Sequence, residues 1–414
     1  MKVAIAGGGI CGLALALNLK QRGIEARVYE RAAEIKPLGV GITLLPHAMR
    51  EFSALGFGDA LLAAGIENRE SCFFNRFGQL IYKEPRGKFA GYQYPEVGIH
   101  RGRLHLVMVE AVRDRLGADA VLTDHECVGI EQDDKGVTIR FRGRDAVRAD
   151  VAIACDGINS AVRKQFYPDD KVVFAGINTW RGVTRRKPIL GGRTYMRVGS
   201  ILTGKMVIYP IIDHADAEGN QLVNWMAEIK RDTYEQNDWN KPGDLADFFP
   251  LYENWRFPWL DVAQLIRDAD QILEYPMVDK DPIARWSFGR VTLAGDAAHP
   301  MYPRGSNGAA QAAIDARVLA DCLRGHADAR EALAAYEAAR AEPAARVVRT
   351  NREHPPDFIN IKVEQLVGDR PFDNLDDYIT QDELRALSES YKRIAGFALS
   401  DVAAGAADKN MLIQ

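Results

Sequence analysis

The chain has 414 residues, enough for two or three domains with a sizeable core, and its 53 Lys and Arg against 57 Asp and Glu leave a net charge of −4. That near balance gives no general attraction for nucleic acid or an anionic membrane, and no apolar run reaches the ~18 residues of a spanning helix. The five scattered cysteines lack CxxC spacing, so we expect no metal ribbon and no disulfide-stapled secreted fold, but a protein of the reducing cytoplasm.

The N-terminal segment predicts a βαβ unit. Residues Lys2–Ala6 are apolar enough for a buried strand, a glycine-rich turn follows, and Leu13–Gln21 shows helical periodicity. A second strand over Ala26–Tyr29 closes at Glu30. The glycines that interrupt the first apolar run argue against a secretory signal peptide. Strand, turn, helix and strand in this order are typical of a parallel α/β sheet.

The remaining chain alternates helices and strands and then becomes rich in β-branched and aromatic residues. Up to Ala154 we predict strands at Val40–Thr43, Cys127–Gln132, Gly136–Arg142 and Val151–Ala154, helices at Pro46–Leu55 and Arg103–Leu116, and short strands between Ser71 and Tyr94. Residues 172–275 predict a second, mixed or antiparallel sheet with a helix near Asp244–Tyr252. Beyond it we predict a strand at Val291–Leu293 and helices at Gly308–Arg324, Ala329–Arg349 and Gln381–Ala398, with a break at His354-Pro355-Pro356.

Gly7, Gly9 and Gly12 form a Gly-x-Gly-x-x-Gly motif between the first strand and its helix. In a dinucleotide fingerprint the first glycine permits a tight turn, the second lets the backbone approach a pyrophosphate, and the third lets helix and strand pack closely. Glu30 lies 18 residues after Gly12, where a carboxylate can accept hydrogen bonds from a ribose diol. A purely structural glycine turn is the alternative, and the motif leaves NAD and FAD both open.

A second strand–turn–helix element favours FAD. The strand Val291–Leu293 runs into a turn and loop whose notable positions are Gly295, Asp296, Pro303, Gly305, Asn307 and Gly308. Asp296 can bind a ribityl hydroxyl, and backbone N–H groups near Gly308 can meet the electron-rich edge of a flavin ring. A plain nicotinamide enzyme has no need of this element.

A third segment, Asp156-Gly157 followed by Arg163, is on its own only a turn and a helix start. In this order, however, the three segments resemble the fingerprints of the class A flavoprotein monooxygenases, the para-hydroxybenzoate hydroxylase-like family. The His-Arg-x-x-Leu element of that family appears at His100–Leu104, which implies that Arg101 contacts FAD. The resemblance covers roughly residues 1–350 and implies further cofactor contacts from Ile10, Cys11, Arg31, Val40, Gly41, Val128 and Asp156.

The resemblance also implies the architecture, an α/β fold with a Rossmann-like FAD-binding domain, an inserted β-rich substrate domain and a helical C-terminal tail. We expect the FAD-binding domain over residues 1–70, 98–171 and 276–353. The substrate-binding domain is expected over 71–97 and 172–275, and the tail over 354–414. Two departures from the family pattern stand out: Cys11 replaces a usual glycine in the phosphate turn, and Arg304 precedes Gly305 beside the presumed flavin edge.

The implied activity is NAD(P)H-driven hydroxylation of an aromatic or heteroaromatic small molecule by O₂, through a flavin hydroperoxide. FAD would be the resident cofactor, NADH or NADPH a transient co-substrate, and the enzyme a monomer or homodimer without a metal. No side chain is assigned as a catalytic acid or base, because the cofactor supplies the chemistry. The alternatives are an FAD-dependent dehydrogenase or oxidase without oxygen insertion, and a flavin-bearing binding module without turnover.

Four residues are candidate substrate contacts: Arg181, Tyr209, Trp225 and Tyr302. Five segments resemble family members that act on planar heteroaromatic carboxylates: Pro37–Ile42, Ile99–Gly102, Thr179–Thr184, Leu222–Trp225 and Tyr275–Asp279. A buried carboxylate needs a cationic or hydrogen-bonding partner, for which Arg181 and Arg304 are the candidates. The alternative is that the aromatic residues are core and that both arginines pair with nearby acids at the surface.

Two other patterns are weak. Gly199-x-x-x-x-Gly204-Lys205 nearly matches a phosphate-binding P-loop, but Met206 replaces the Ser or Thr that binds Mg²⁺. His100 and His105 lack a third ligand for a metal ion, and no Gly-x-Ser-x-Gly motif supplies a serine nucleophile.

Overall fold

A computed structural model describes residues 1–36, 39–234, 241–353, 355, 357–394 and 398–399. Its helices are α1 (Ile10–Gln21), α2 (Pro46–Ala54), α3 (Gly58–Ala64), α4 (Arg101–Leu116), α5 (Ala161–Phe166), α6 (Phe249–Tyr252), α7 (Val262–Arg267), α8 (Gly308–Gly325), α9 (Ala329–Glu353), α10 (Phe358–Val367) and α11 (Gln381–Ile394). Its strands are β1 (Lys2–Ala6), β2 (Glu25–Tyr29), β3 (Gly41–Leu44), β4 (Ile66–Glu67), β5 (Glu70–Phe74), β6 (Leu80–Pro85), β7 (Val97–His100), β8 (Val121–Leu122), β9 (Cys127–Asp133), β10 (Gly136–Phe141), β11 (Arg144–Ala149), β12 (Val151–Ala154), β13 (Val172–Arg186), β14 (Thr194–Ser200), β15 (Gly204–Ile212), β16 (Gln221–Lys230), β17 (Arg256–Phe257), β18 (Leu260–Asp261), β19 (Ala269–Lys280), β20 (Ser287–Phe288) and β21 (Val291–Leu293). None of the described helices is long and apolar enough to cross a membrane.

The first sheet has six strands in the order β20-β21-β12-β1-β2-β8. β1 pairs in parallel with β2 and β12, and β12 pairs in parallel with β21. The almost complete burial of β1, β12 and β21 suits their continuous apolar sequences, because helices cover both faces of a parallel sheet. Parallel pairing also brings the segments that follow these strands to one edge of the sheet.

The second sheet has seven strands in the order β19-β13-β16-β15-β14-β5-β6. One face packs against an apolar core that contains Trp180, Trp225 and Trp255 together with residues of α6 and α7. Successive residues of a strand point to opposite faces, so the residues adjacent to Trp180 and Trp225 lie on the other face. That other face carries charged and aromatic side chains.

A small antiparallel sheet of β3, β7 and β4 lies against β15. A Cβ added to Gly98 on β7 would lie 2.5 Å from the carbonyl oxygen of Pro210, which shows how closely the two sheets approach. On β3, the backbone N–H of Gly41 donates a hydrogen bond to Oδ1 of Asn224 at 2.7 Å. Asn224 therefore ties the start of β3 to the second sheet.

The expected fold class is confirmed, and the strands Lys2–Ala6, Val151–Ala154 and Val291–Leu293 have the predicted bounds. Helices α1 and α4 begin earlier than predicted. Gly12 lies inside α1, and residue 12 must be glycine because any Cβ there would sit 2.0 Å from the carbonyl oxygen of Gly7. At α4, Nδ1 of His100 accepts a hydrogen bond from the backbone N–H of Gly102 at 3.1 Å and so caps the helix.

The helix predicted near Asp244–Tyr252 is broken into a 3₁₀ turn at Leu245–Asp247 and the single-turn α6. Pro250, near the start of α6, has no backbone N–H with which to continue a helix from the preceding turn. The last predicted helix is present as α11 as far as Ile394. Of the residues in earlier predictions, 37–38, 354, 356, 395–397 and 400–414 lie outside the described part of the chain.

Arg163 on α5 clamps two turns of the first sheet together. Its guanidinium pairs with Asp170, with Nε 2.9 Å from Oδ2, and donates to the carbonyl oxygens of Ala297 and Ala298 at 3.3 and 2.8 Å. The Arg163 side chain is completely buried. Arg163 thus joins the segment after β12 to the segment after β21.

We expect Arg163→Met to lower the free energy of unfolding by about 3–5 kcal/mol, because one partner of a buried, hydrogen-bonded pair is lost. Arg140→Met is the matched control: Arg140 pairs with Glu131 on the surface, and such pairs contribute about 0–1 kcal/mol. Urea unfolding of both variants measures the difference. Equal losses in the two variants would contradict the clamp.

Candidate active site

The glycine turn after β1 forms a cradle that side chains would fill. Gly7 has φ +105°, and a Cβ on it would lie 2.3 Å from the carbonyl oxygen of Cys155. The Cβ position of Gly9, in contrast, has no atom within 4 Å. No described side chain caps α1, and its first turn holds no acidic residue. The N–H groups at this helix end can therefore bind an anion such as a pyrophosphate.

Glu30, at the end of β2, reaches back to the glycine turn. Its Oε2 accepts a hydrogen bond from the N–H of Gly8 at 2.8 Å, and its Oε1 accepts one from the N–H of Ala32 at 2.9 Å. Each oxygen keeps a further lone pair, so the half-buried carboxylate can also accept from a ribose diol. The two other predicted contacts near this end, Arg31 and Val128 on β9, are exposed.

Asp156 and Gly157 form the turn after β12. Oδ2 of Asp156 accepts a hydrogen bond from the N–H of Ala161 at 2.9 Å, whereas its buried Oδ1 has no hydrogen-bond partner among the described residues. Burial raises the pKa of this carboxyl group. A buried oxygen without a partner indicates a polar group supplied by a ligand or a water molecule.

Cys11, the unusual residue of the phosphate turn, is buried beside Cys155. The two Sγ atoms lie 3.7 Å apart, and the hydrogen bond with Cys155 together with burial raises the pKa of the Cys11 thiol. Such a thiol is a packing group with little thiolate character. The predicted FAD contact of Cys11 is therefore left to its backbone.

Asp296 stands in the turn after β21. Its side chain is open to water, and no ion pair or hydrogen bond to it is formed by the described residues. The surrounding protein nevertheless raises its pKa by desolvation. Because water reaches the Asp296 carboxylate while the protein still partly desolvates it, we infer that this carboxylate lines a cleft. Asp296 thus faces the cleft at the sheet edge without a protein partner.

A buried charge network beneath this turn holds it in place. Oδ2 of Asp315 on α8 accepts a hydrogen bond from the N–H of Gly295 at 3.0 Å and lies 2.5 Å from Nε2 of His299. Its Oδ1 accepts from Nε of Arg340 at 2.7 Å. Although burial alone would raise it, His299 and Arg340 hold the pKa of Asp315 well below its usual range. Sequence reasoning missed this network, whose only signal was one acid in the small-residue first half of α8.

The C-terminal region supports the loop between Pro303 and Gly308, which we call the flavin-side loop. Tyr391 on α11 accepts a hydrogen bond from Nδ2 of Asn307 at 3.1 Å. Gly305 has φ +85°, and a Cβ on it would lie 1.7 Å from the Tyr391 hydroxyl, so this contact requires glycine. The Cβ position of Gly308 has no atom within 4 Å. The start of α8 is therefore open, as an approaching flavin ring would require.

Arg304 in this loop pairs with a buried acid. Its NH2 atom lies 2.8 Å from Oδ2 of Asp357, and Nζ of Lys205 lies 3.1 Å from the same oxygen. Lys205 also pairs with Glu228, at 2.9 Å. Two cations and two acids thus alternate in one buried series. Arg304 therefore pairs with a nearby acid, as one of the two interpretations of the sequence predicted, but the pair is buried and not at the surface. Lys205, part of the near match to a P-loop, is an ion-paired strand residue.

Arg101 lies between the two halves of the site. It begins α4 directly after β7, and its backbone N–H donates a hydrogen bond to the carbonyl oxygen of Val40 at 3.0 Å. Its charge acts on Asp296 at the edge of the first sheet and on Arg181 and Tyr275 of the second sheet. Arg101 therefore stands where a ligand would contact both sheets.

The face of the second sheet opposite the tryptophan core carries two adjacent rows of side chains. The first row, in register across β13, β16, β15 and β14, is Arg181, Met226, Val207 and Arg197. In the second row Asn224 pairs in register with Tyr209, whose ring stacks on that of Tyr195 with 5.0 Å between centroids. Tyr209 is buried, and burial raises the pKa of its phenol.

Two of the four predicted substrate contacts lie away from these rows. Trp225 is fully buried on the opposite face, where its Nε1 donates a hydrogen bond to Oγ1 of Thr184 at 3.0 Å. Trp225 is therefore a core residue and not a substrate contact. The sequence alone does not show which face of the strand it occupies. Tyr302 is buried in a small apolar cluster with Ile177 and Met277. The structure thus confirms for Trp225 the prediction that the aromatic residues belong to the core.

These features fit FAD at the shared edge of the first sheet. The cradle at Gly9 is open, two helix N-termini lack side-chain caps, and the carboxylates of Asp156 and Asp296 offer unpaired oxygens. Helix N-termini suit phosphate and the electron-rich ring edge, and carboxylates suit hydroxyl groups. The donor set thus matches a dinucleotide with both phosphate and polyol parts.

His47, near the start of α2, is buried and lies close enough to Asn307 of the flavin-side loop to interact with it electrostatically. Its protonation is therefore expected to make the stability of the fold sensitive to acid. Burial and the nearby Arg50 lower its pKa to about 4, and the side chain of Asn307 opposes this shift. A folded-state pKa below the unfolded value means that stability is full above about pH 6.5 and is lost as the pH falls towards 4.

We expect this histidine to contribute about 2–3 kcal/mol to the loss of unfolding free energy between pH 7 and 4.5. His47→Gln should lose correspondingly less stability over the same interval, because glutamine takes up no proton. Urea unfolding of both proteins at the two pH values gives the comparison. An identical pH dependence would show that His47 is not protonated in this interval.

Comparisons with known proteins agree with this site. Residues 1–185 and 269–351 match the family model described as FAD binding domain. The chain is 39% identical to phenazine 1,6-dicarboxylic acid hydroxylase from Lysobacter antibioticus, over 95% of this chain and 96% of that protein. It is 33% identical to a 3-amino-4-hydroxybenzoate 2-monooxygenase from Streptomyces platensis, over 91% of this chain and 94% of that protein.

A solved structure shows the same fold with the cofactor in place. The crystal structure of an HpxO variant from Klebsiella pneumoniae, complexed with FAD, superposes with a TM-score of 0.76 at 25% identity, over 97% of this chain and 99% of that chain. The five segments noted in the sequence also resemble 5-methylphenazine-1-carboxylate monooxygenase, in line with the phenazine relative. The chain belongs to the FAD binding domain family, as an FAD-dependent monooxygenase of the class that hydroxylates aromatic compounds.

Proposed function

We propose that the protein hydroxylates a planar aromatic or heteroaromatic carboxylate with O₂ and NADH or NADPH, and that Arg181 binds the carboxylate of the substrate. FAD, when bound, supplies the redox and oxygen chemistry. The observation that carries the proposal is the guanidinium of Arg181, which lies on the second sheet without a carboxylate partner among the described residues.

Arg181 is held in a position that suits an incoming anion. Its side chain is half-buried, its Nε has no hydrogen-bond partner in the described structure, and its guanidinium lies over the ring of Tyr275, 5.0 Å from the centroid. Burial lowers its pKa, because the guanidinium is desolvated, and the nearby Tyr209, Tyr275 and Glu228 oppose the shift. A partly desolvated cation gains most from an oppositely charged, hydrogen-bonding ligand.

The neighbouring charges do not satisfy Arg181. Glu228 lies close enough to act on it electrostatically, but it forms no ion pair with Arg181, and its Oε2 pairs with Nζ of Lys205 at 2.9 Å. Arg304, the other candidate for the substrate carboxylate, pairs with Asp357 at 2.8 Å. The charge balance therefore favours Arg181 of the two arginines. Relatives whose names specify a phenazine dicarboxylic acid or an aminohydroxybenzoate support an acidic aromatic substrate.

The chain's own residues would hold FAD at the edge of the first sheet. We assign the pyrophosphate to the backbone of Gly7–Gly12, the ribose diol to Glu30 and a ribityl hydroxyl to Asp296. The N–H groups near Gly308 would meet the flavin edge, and Arg101 would contact the cofactor beside the substrate. The buried residues of the second sheet would exclude water from the substrate side, which limits unproductive release of hydrogen peroxide.

The compartment is a further part of the proposal. All five cysteines are free thiols, including the closely spaced Cys11 and Cys155. Free thiols at this separation support a reducing compartment, and we propose the cytoplasm.

Arg181→Met should lower kcat/KM for phenazine-1-carboxylate by about 10–100-fold, since charge-assisted hydrogen bonds contribute about 1.5–3 kcal/mol. Its preference should shift towards the methyl ester, which needs no cation. The control is Arg185→Met on the same strand, because Arg185 is exposed and pairs with Asp216. The assay follows substrate-stimulated NAD(P)H oxidation and incorporation of ¹⁸O from ¹⁸O₂.

Two results would contradict this proposal. An unchanged acid-to-ester ratio in Arg181→Met would remove the carboxylate contact. NAD(P)H oxidation that is stimulated by the acid, but leaves no ¹⁸O in the product, would favour the alternative of a dehydrogenase or oxidase.

Asp296→Asn should raise the dissociation constant of FAD by about 10–100-fold, because a ribityl hydroxyl loses its charged acceptor. Asp145→Asn on exposed β11 is the matched control and should leave FAD affinity unchanged. Titration of the apoprotein with FAD, followed by flavin fluorescence, gives both constants. Equal FAD affinity in wild type and Asp296→Asn would reject the assignment.

A further inference from the structure

We propose that Cys11 and Cys155 form an oxidation site, at which hydrogen peroxide joins them by a disulfide and thereby weakens the binding of FAD. The inference goes beyond the proposed function, because it concerns the cofactor cradle and not the substrate. It gives a role to Cys11, the residue that departs from the family pattern in the phosphate turn.

The first observation is the contact between the two sulfur atoms. The Sγ atoms of Cys11 and Cys155 lie 3.7 Å apart, and the Cys155 thiol donates to the Cys11 sulfur. A disulfide bond is about 2.05 Å long, so the two atoms must approach each other by about 1.7 Å. The thiols of Cys72 and Cys127 donate to oxygen atoms instead.

The second observation is the place of this pair among the turns assigned to FAD. Cys11 is the second residue of α1, and Cys155 directly precedes Asp156. A Cβ on Gly7 would lie 2.3 Å from the carbonyl oxygen of Cys155. A Cβ on Gly295 would lie 2.8 Å from Cβ of Cys11. The pair is therefore packed against the turns that follow β1, β12 and β21.

Close packing would transmit a movement of the sulfur atoms to the cradle. The N–H of Cys155 donates a hydrogen bond to the carbonyl oxygen of Ala6 at 2.7 Å. Gly12, next to Cys11, has no room for a Cβ beside the carbonyl oxygen of Gly7. A shift of this size cannot be absorbed locally in so dense a region. Disulfide formation would therefore displace the start of α1, whose N–H groups are assigned to the pyrophosphate, from the turn after β12.

The oxidant is hydrogen peroxide, which unproductive turnover under the proposed function would release. One sulfur attacks a peroxide oxygen, the O–O bond breaks, and a sulfenic acid and water form. The other sulfur then attacks the sulfenic sulfur, the S–O bond breaks, and a second water leaves as the disulfide forms. Two electrons pass from the two thiols to the peroxide, and both thiol protons end in water.

The resting pair is reduced and reacts slowly. The hydrogen bond with Cys155 and burial raise the pKa of the Cys11 thiol, so sustained peroxide is needed to oxidise it. Neither residue is completely buried, with 6% of Cys11 and 8% of Cys155 exposed. A molecule as small as peroxide can therefore approach them. A disulfide of this kind is transient in a reducing compartment, because cellular dithiols reverse it.

The test treats the FAD-loaded protein with added hydrogen peroxide, removes the excess with catalase and follows the release of FAD on dilution by flavin fluorescence. Wild type should form a disulfide between Cys11 and Cys155, which peptide mapping detects after the remaining thiols are blocked. The dissociation constant of FAD should rise at least about fivefold. Dithiothreitol should reverse both changes.

Cys11→Ala and Cys155→Ala each remove one of the two sulfur atoms. Peroxide should therefore leave the FAD dissociation constant of each variant within about twofold of the value before treatment. Cys322→Ala is the matched control: Cys322 lies near the end of α8, and this variant keeps the sulfur pair. It should respond to peroxide as wild type does.

Three results would overturn the oxidation site. No disulfide forms between Cys11 and Cys155, or it forms without a change in FAD affinity, or an alanine variant at either position loses FAD on oxidation as wild type does. If an alanine variant folds poorly, the peptide map of wild type and the effect of dithiothreitol on its FAD affinity decide alone. No aromatic substrate is present in this test, so its outcome is independent of whether Arg181 binds a carboxylate.

Discussion

The site depends on the parallel pairing of β2, β1, β12 and β21. Three turns that are far apart in the chain follow β1, β12 and β21, and parallel register delivers all three to one sheet edge. At that edge lie the glycine turn and the carboxylates of Asp156 and Asp296, to which we assign contacts with FAD. Arg163 fixes the second and third turns to each other through carbonyl oxygens of the third. A single sheet register thus brings together the three turns to which we assign cofactor contacts.

Charge pairing decides what the second sheet can recognise. Its inner face and the flavin-side loop carry several buried ions, and Lys205, Glu228, Asp357 and Arg304 form one alternating series. This series anchors the loop to the sheet. Its two positive and two negative charges balance one another, so it has no net charge to attract an ionic ligand. Arg181 differs because no acid of the described residues forms an ion pair with it. The proposed recognition of an acidic substrate therefore rests on which buried cation lacks an ion-pair partner among the described residues.

The cofactor half of the site could be predicted from sequence because its motifs are local. Gly7 and Gly12 are required by close backbone contacts, Gly7 with Cys155 after a neighbouring strand and Gly12 with Gly7 itself, whereas Gly9 leaves open space. Asp296 follows its strand within three residues. The substrate half depends on which face of a strand a residue occupies and on long-range partners. Trp225 looked suitable for an aromatic ligand, but its strand register places it in the core.

The partners of Arg304 and Asn307 come from the C-terminal region, about fifty and eighty residues further along the chain. No local pattern indicates such contacts, so the support of the flavin-side loop by Asp357 and Tyr391 could not be foreseen. The role of Asp315 could not be predicted either, because in the sequence it is one acid among the small residues of a helix. Only the structure shows that Gly295, His299 and Arg340 surround it.

The central claim is that Arg181 is the cation that receives an acidic aromatic substrate. A crystal structure of the FAD-loaded protein with phenazine-1-carboxylate tests it directly. The account predicts a carboxylate oxygen about 2.7–2.9 Å from a guanidinium nitrogen of Arg181, with Arg304 still paired to Asp357. A carboxylate that points to solvent, or that displaces Asp357 from Arg304, would contradict it.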